Sequence, residues 1–191
     1  MGRTNALRLF WCLALALSLT GCGAGGSQRG AAAPAPPGMK VHPESGTCMP
    51  TRLESLQLNQ EHEFGPADLG VSLVDRETGL LVTLYTYPAG NAAPSDQEFA
   101  AHFHAVLLEA SKATGVEQVQ VAKLNDPRFR RPGLMALGEG AVEGVPVMMI
   151  VVLFTNDRWY FKLRATHPTV STKKAAPLAR RALEKSFNKC N

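Results

Sequence analysis

The feature that most constrains this chain is an apolar run at residues 147–154, in which every side chain is hydrophobic. Successive side chains of a β-strand point to opposite faces of its sheet, so a strand made of this run is hydrophobic on both faces. Such a strand is stable only inside a sheet that is covered on both sides. No apolar run in the chain approaches the ~20 residues that a membrane-spanning helix needs. The sequence therefore predicts an interior strand and no transmembrane helix.

Hydrophobic periodicity across residues 55–187 predicts the order β-β-β-α-β-β-β-β-α. The links between strands are short enough for hairpins, among them the tight-turn pair Glu143-Gly144, so the strands should pair antiparallel. The predicted fold class is α+β. We expect a single, mostly antiparallel sheet of about six to seven strands with two helices packed on it.

Both helices carry recognisable boundary residues. Ser95 with Glu98 three positions later predicts a capping box at the start of the first helix, and Gly115 predicts its end. Pro177 has no backbone N–H and therefore fits the first helical turn, which places the regular part of the last helix near residues 174–176.

The last helix is preceded by Phe161-Lys162-Leu163-Arg164-Ala165-Thr166-His167-Pro168, and the first by Leu80, Val82, Leu84, Tyr85, Tyr87 and Pro88. With the element order, these stretches resemble uncharacterised bacterial lipoproteins of the PsbP-like fold, an antiparallel sheet flanked by helices. The resemblance covers most of residues 50–190. It implies an accessory or binding role, because members of that fold share no single chemistry.

The N-terminus has the plan of an export signal. Arg3 and Arg8 precede a short apolar segment that ends in Leu19-Thr20-Gly21-Cys22. This ending resembles the lipobox of bacterial prolipoproteins. The resemblance implies that the signal peptide 1–21 is removed and that Cys22 receives diacylglycerol and a fatty acid such as palmitate, which suffices for stable membrane anchoring. The alternative is an ordinary signal peptide with Cys22 free or in a disulfide.

The segment after Cys22 cannot form a core. Residues 23–38 contain five Gly, five Ala and three Pro, a composition typical of a disordered spacer. We therefore predict a lipidated tether over residues 22–46 and a globular domain over residues 47–191. The expected location is the cell envelope. In an organism with two membranes it is the outer one, because Gly23 rather than Asp follows the lipidated residue.

Export and lipidation leave two of the four cysteines in the folded domain. Cys12 departs with the signal peptide and Cys22 carries the lipid, so Cys48 and Cys190 remain. Two cysteines in an exported domain predict one disulfide, with a pair of free thiols as the alternative.

Charge is distributed unevenly along the chain. Residues 39–157 contain 8 basic and 15 acidic side chains, whereas residues 158–191 contain 9 basic and 1 acidic. This favours a surface for an acidic protein, an anionic lipid or an envelope polymer. The alternative is a solvated helix face paired with acidic groups of the same domain. Nucleic acid is a poor match for an exported chain without interleaved aromatics. The candidate surface comprises Lys162, Arg164, Lys173, Lys174, Arg180, Arg181 and Lys185.

No catalytic motif, metal-ligand spacing or cofactor motif is present, so no catalytic residue, metal or cofactor is predicted. His62 lies on the apolar parity of a half-buried strand with Leu56, Leu58 and Phe64, and is expected to be a hydrogen-bonded histidine at its rim. His102 is expected to be a solvated neighbour of the capping residue Glu98.

The sequence favours a lipid-anchored envelope protein with a non-catalytic accessory or binding domain. One alternative is an envelope hydrolase with His62 or His102 in a cleft near residues 88–94 and 125–133. A second alternative is a carrier of a small apolar ligand, which requires a roomy cavity between sheet and helix.

The lipobox can be tested by metabolic labelling with an alkyne-tagged fatty acid. The wild-type chain should take up the label and Cys22→Ala should not, because only the lipobox sulfur is modified. Cys12→Ala is the matched control and should remain labelled. Undiminished labelling of Cys22→Ala would reject the lipoprotein assignment.

Overall fold

The structure is a computed structural model that describes residues 35–65, 67–90, 93–156 and 158–190. The predicted signal peptide, the lipobox and the first part of the predicted tether lie outside the described residues. Neither described helix is long and apolar enough to cross a membrane.

The fold is α+β, as predicted, with mostly antiparallel sheets and two helices. The main sheet has eight strands in the order β3-β4-β5-β6-β10-β9-β8-β7, and a second sheet has three in the order β1-β2-β11. The strands are β1 (Met39–Val41), β2 (Thr47–Pro50), β3 (Arg52–Leu53), β4 (Leu56–Gly65), β5 (Asp68–Asp75), β6 (Leu80–Pro88), β7 (Val119–Leu124), β8 (Gly133–Val142), β9 (Val145–Asn156), β10 (Trp159–Pro168) and β11 (Asn188–Lys189); the helices are α1 (Asp96–Thr114) and α2 (Thr172–Lys185).

The prediction of a single sheet of six to seven strands was wrong. Seven predicted strands correspond to β4 to β10, and the structure adds β3 to their sheet and forms the small sheet from β1, β2 and β11. These four added strands are two to four residues long. A period of two cannot be recognised over so few residues, so the pairing of these strands depends on contacts far apart in sequence.

The apolar run does form an interior strand covered on both faces. On one face of β9, Val151 and Leu153 pack in a cluster with Phe103 of α1. On the other face, Val152 and Phe154 share a cluster with residues of α2. The two helices therefore lie on opposite sides of the main sheet, and β9 is held between them.

Helix α1 begins and ends as predicted. The Ser95 side chain accepts a hydrogen bond from the Glu98 backbone N–H, and the Glu98 carboxylate accepts one from the Ser95 backbone N–H, which completes the capping box. Gly115 ends the helix with φ +63°, a left-handed conformation that favours glycine. The carboxylate bonds to Ser95 lower the pKa of Glu98.

Helix α2 starts earlier than predicted. It begins at Thr172, after a 3-10 turn at Thr169–Ser171, so Pro177 lies in its second turn rather than its first. The buried side of α2 consists mainly of Ala175, Leu178, Ala179 and Ala182 and packs on β10, β6 and β2.

The small sheet joins the two ends of the described chain. Its central strand β2 pairs with both β1 and β11, and the predicted disulfide between Cys48 and Cys190 is present, with a Cα–Cα distance of 5.4 Å. Strand β1 and the buried side chain of His42 precede residue 47, so ordered structure begins before the predicted start of the domain.

Arg128 fastens the loop before β8 to the end of α2. Its guanidinium pairs with the Asp126 carboxylate at 2.5 Å and donates to the carbonyl oxygens of Leu183 and Ser186. The hydrogen bond from the Arg128 guanidinium to the Asp126 carboxylate lowers the pKa of Asp126. A cation placed on the last carbonyls of a helix satisfies acceptors that the helix itself leaves open.

Removal of the disulfide should destabilise the domain without changing its fold. Cys48→Ser combined with Cys190→Ser opens a loop whose ends are 142 residues apart. On the chain-entropy account this lowers the free energy of unfolding by up to about 5 kcal/mol. Denaturant titrations of the oxidised, reduced and doubly substituted chains measure the difference. Equal transition midpoints for all three would contradict the stabilising role.

Candidate functional site

The main sheet has one face that is only partly covered. Helix α1 lies on this face and packs mainly on β9 and β8, while α2 lies on the opposite face. Strand β4, at the far side, is mostly exposed. We call the uncovered part the open face. Its central residues are His62, Phe64, Ser72, Tyr85, Lys162 and Arg164.

A bulge in β4 determines which residues reach the open face. Leu58 pairs with Leu73, whose side chain belongs to the α2 core, whereas Gln60 pairs with Ser72 on the open face. The register shift between Leu58 and Gln60 exchanges the two faces of the strand. The prediction that Leu58, His62 and Phe64 share one buried side was therefore wrong.

Three polar side chains from neighbouring strands form a hydrogen-bonded row. His62 Nε2 lies 2.8 Å from Ser72 Oγ, which lies 3.1 Å from Thr83 Oγ1. His62 is a hydrogen-bonded rim histidine, as predicted. From the sequence, Ser72 and Thr83 are expected to be ordinary strand residues. The register of β4, β5 and β6 places both on the same face of the sheet as His62.

Aromatic rings lie beside this row. The Tyr85 ring covers Gly70, where an added Cβ would meet ring carbons at 2.6–2.7 Å. Only glycine allows the ring to lie this close to the strand. Phe64 stacks on His62 with ring centroids 6.0 Å apart and remains 69% exposed. The face thus presents a flat ring to solvent.

Two cations complete the open face. The Lys162 ammonium lies 4.2 Å from the centroid of the Tyr85 ring and 5.6 Å from that of Tyr87, a cation–π arrangement. Burial lowers the pKa of Lys162, and the acidic groups Glu109 and Asp68 offset only part of that effect. Neither Lys162 nor Arg164 has an ion-pair partner among the described residues.

His102 fixes α1 to the sheet. Its Nε2 lies 2.8 Å from the Tyr87 hydroxyl, and its ring stacks on Tyr160 with centroids 4.1 Å apart. Burial lowers the pKa of His102 and raises that of Tyr87, so the neutral forms of both side chains share this hydrogen bond. The prediction of a solvated His102 was wrong, because Glu98 caps the helix while His102 turns towards the sheet.

The seven predicted cations do not form one surface. Lys162 and Arg164 lie on the open face, whereas Lys173, Lys174, Arg180, Arg181 and Lys185 belong to α2 on the opposite side of the sheet. Alternation along β10 produces this division, since Phe161, Leu163 and Ala165 between and beside the two cations point into the α2 core.

Several cations of α2 are paired within the domain. Lys174 lies 2.5 Å from Glu77, Arg181 2.5 Å from Glu54, and Arg180 3.5 Å from Glu184. These contacts match the alternative of a solvated helix face paired with acidic groups of the same domain. Lys173 and Lys185 make no ion pair with another described residue.

The space between α1 and the open face is small, whereas a pocket of about 210 Å³ lies between the start of α1 and strands β7 and β8. The cavity lined by Tyr85, Val106, Glu109, Lys162 and Arg164 has a volume of about 20 Å³, enough for a single water. A carrier of an apolar ligand requires a far larger cavity at this place. Within the part of the chain that the structure describes, no group of three or more His, Cys, Asp or Glu side chains could hold a metal ion.

Comparison of the chain with protein-family models and with curated proteins finds no match. The arrangement of the open face therefore carries the functional argument by itself.

Domain stability should fall in mildly acidic solution because of His102. Its pKa in the folded chain lies below 6.5, its ordinary value, so the unfolded chain binds the proton more readily. The contribution of neutral His102 is complete above about pH 6.5 and is lost as the pH decreases from there towards the folded-state pKa.

Urea unfolding between pH 5 and 8 measures this effect. His102→Gln should weaken the pH dependence, leaving the part due to His42, whose pKa is also lowered by burial. His104→Gln, on the exposed side of α1, is the matched control and should retain the dependence of the wild type. Identical slopes for the two variants would contradict the assignment.

Proposed function

We propose that this protein is a lipid-anchored component of the cell envelope whose domain binds an acidic polymer on the open face, without catalysis. The observation that carries the proposal is that Lys162 and Arg164, two cations without an ion-pair partner in the described chain, lie on the same face of the sheet as the exposed ring of Phe64, with the Tyr85 ring between Lys162 and Phe64. An accessory role of the PsbP-like kind belongs to the same proposal, supported by the order of the elements.

The charge of the open face favours an anionic ligand. Glu109 lines the same small cavity, but it forms no direct ion pair with either cation, so a carboxylate bound between Lys162 and Arg164 would supply that direct contact. Lys162 is held against Tyr85 and already partly desolvated, so its contact with an anion is less screened than at a fully exposed site.

The remaining groups of the face favour a polymer of acidic sugars over a lipid surface. Phe64 and Tyr85 offer rings for the apolar side of a sugar, and His62 offers a ring nitrogen at the rim. A membrane-binding face needs a broad apolar surface. Here the large exposed hydrophobic side chains are Phe64 and Leu81, which are separated by the polar row of Ser72 and Thr83.

A hydrolase is the second candidate, supported by the 2.8 Å contact between His62 Nε2 and Ser72 Oγ. Two observations favour the binding role. Ser72 is only 5% exposed, and its hydroxyl also bonds Thr83, so a substrate carbonyl has little access to Oγ. Labelling of Ser72 by a fluorophosphonate probe would favour the hydrolase.

Binding of polygalacturonate, an acidic sugar polymer, tests the proposal on the full chain in detergent. We expect salt-sensitive binding that weakens about tenfold or more in Lys162→Met and in Arg164→Met, because each loses a charge-assisted contact. Phe64→Ala should weaken binding without affecting the fold. The matched controls are Lys173→Met and Lys185→Met on α2, which should bind like the wild type.

Three further outcomes would contradict this proposal. Equal losses in the α2 controls would place binding on the helix. Equal binding of polyglutamate would show that the rings contribute nothing. Binding to phosphatidylglycerol vesicles but not to polygalacturonate, by a chain without the lipid anchor, would identify a lipid surface instead.

A further inference from the structure

The two edges of the main sheet differ in how they are protected. At one edge, β3 is only two residues long and β4 behind it is bulged, while Lys40 pairs with Glu61 and Glu63 of β4. Short strands, bulges and charged groups are the usual means by which an edge is kept from pairing with another chain. The opposite edge is neither as short as β3 nor bulged, and it carries a single charged side chain.

The opposite edge is β7, a straight and exposed strand. Its six residues pair with β8 from Val119↔Gly138 to Leu124↔Gly133 without a register shift, and no other described strand pairs with it. It contains no proline and one charged residue, Lys123. Val121, near its middle, is 54% exposed. In an antiparallel ladder, alternate residues direct their N–H and C=O groups to the free side, so β7 offers a row of unused main-chain partners.

We propose that a second copy of this chain pairs with β7, strand to strand and antiparallel about a twofold axis at Val121. This symmetry makes one set of main-chain groups serve both copies. Val121 then lies opposite Val121 of the second copy, and two half-exposed valines cover each other. Gln120 lies opposite Ala122, and Lys123 lies opposite Val119, so no like charges face each other.

Charge complementarity supports this register. Glu117 is exposed and lies two residues before the start of β7, so a strand geometry continued over these two residues would place it diagonally across the axis from Lys123 of the second copy. Diagonal neighbours in a sheet are within reach of long side chains. The symmetry repeats the pair, so each copy contributes one cation, Lys123, and one anion, Glu117. An extended peptide of another protein could also pair with β7. Such a peptide would not require that Glu117 and Lys123 of this chain be complementary to each other across a twofold axis.

Disulfide trapping in membranes that contain the full chain tests the pairing, independently of the ligand proposed above. The native Cys48 and Cys190 are already joined, so a cysteine introduced by Val121→Cys supplies the reactive thiol. We expect a disulfide-linked dimer at least ten times more abundant than from Val170→Cys. Val170 is an exposed position elsewhere on the domain and controls for random collision.

A second variant tests whether the same contact stabilises the dimer. Val121→Lys places two ammonium groups opposite each other and should convert a dimer to a monomer in sedimentation velocity, whereas Val170→Lys should not. Equal crosslinking from the two cysteine variants, a crosslink to a different protein, or an unchanged sedimentation coefficient in Val121→Lys would overturn the proposal.

Discussion

Burial of β9 on both faces is the constraint on which the rest of the structure depends. Its side chains alternate between two hydrophobic clusters, with Val151 and Leu153 towards α1 and Val152 and Phe154 towards the α2 side. Exposure of either cluster would bring a large apolar surface into contact with water, which is unfavourable. The sheet must therefore carry a cover on each side: α1 packs directly on β9, while on the other face β9 shares a hydrophobic cluster with α2, which packs mainly on β10, β6 and β2.

This requirement explains where the open face lies. α1 is used to cover β9 and β8, so the same face of β4, β5 and β6 has to be stable with less cover. It is built from side chains that tolerate water, namely the row of His62, Ser72 and Thr83 and the rings of Tyr85 and Phe64. Lys162 lies at the boundary between covered and open parts, where its ammonium is partly desolvated yet remains unpaired among the described residues. This is the position at which we propose that an anion binds.

Features set by local chemistry could be predicted from the sequence. The capping box of Ser95 and Glu98, the Glu143-Gly144 turn and the doubly apolar strand each depend on residues close together in the chain. The disulfide could be predicted because the predicted removal of the signal peptide and lipidation of Cys22 leave two cysteines in the domain. Strands β1, β2, β3 and β11 could not, since each is too short to show a period. Pro177 lies inside α2 because the helix begins at Thr172, directly after a 3-10 turn, which is earlier than the sequence indicates.

The candidate site was harder to predict than the fold. A sequence shows which residues alternate, but a bulge reverses the alternation, as it does between Leu58 and Gln60. The sequence shows that basic residues are concentrated near the C-terminus. It does not show that Lys162 and Arg164 of β10 point to one face of the sheet while the cations of α2 lie on the other. That division requires the sheet register and the side on which each helix packs, both of which are tertiary properties.

We propose that the open face, and not the basic helix α2, binds the acidic polymer. Amide chemical-shift mapping during titration of the full chain with polygalacturonate tests this most directly. The account predicts that the shifts concentrate on Gly70, Tyr85 and Lys162 and their strands, while the amides of Thr172–Lys185 stay unchanged. Shifts concentrated in α2, with the open face unaffected, would contradict it.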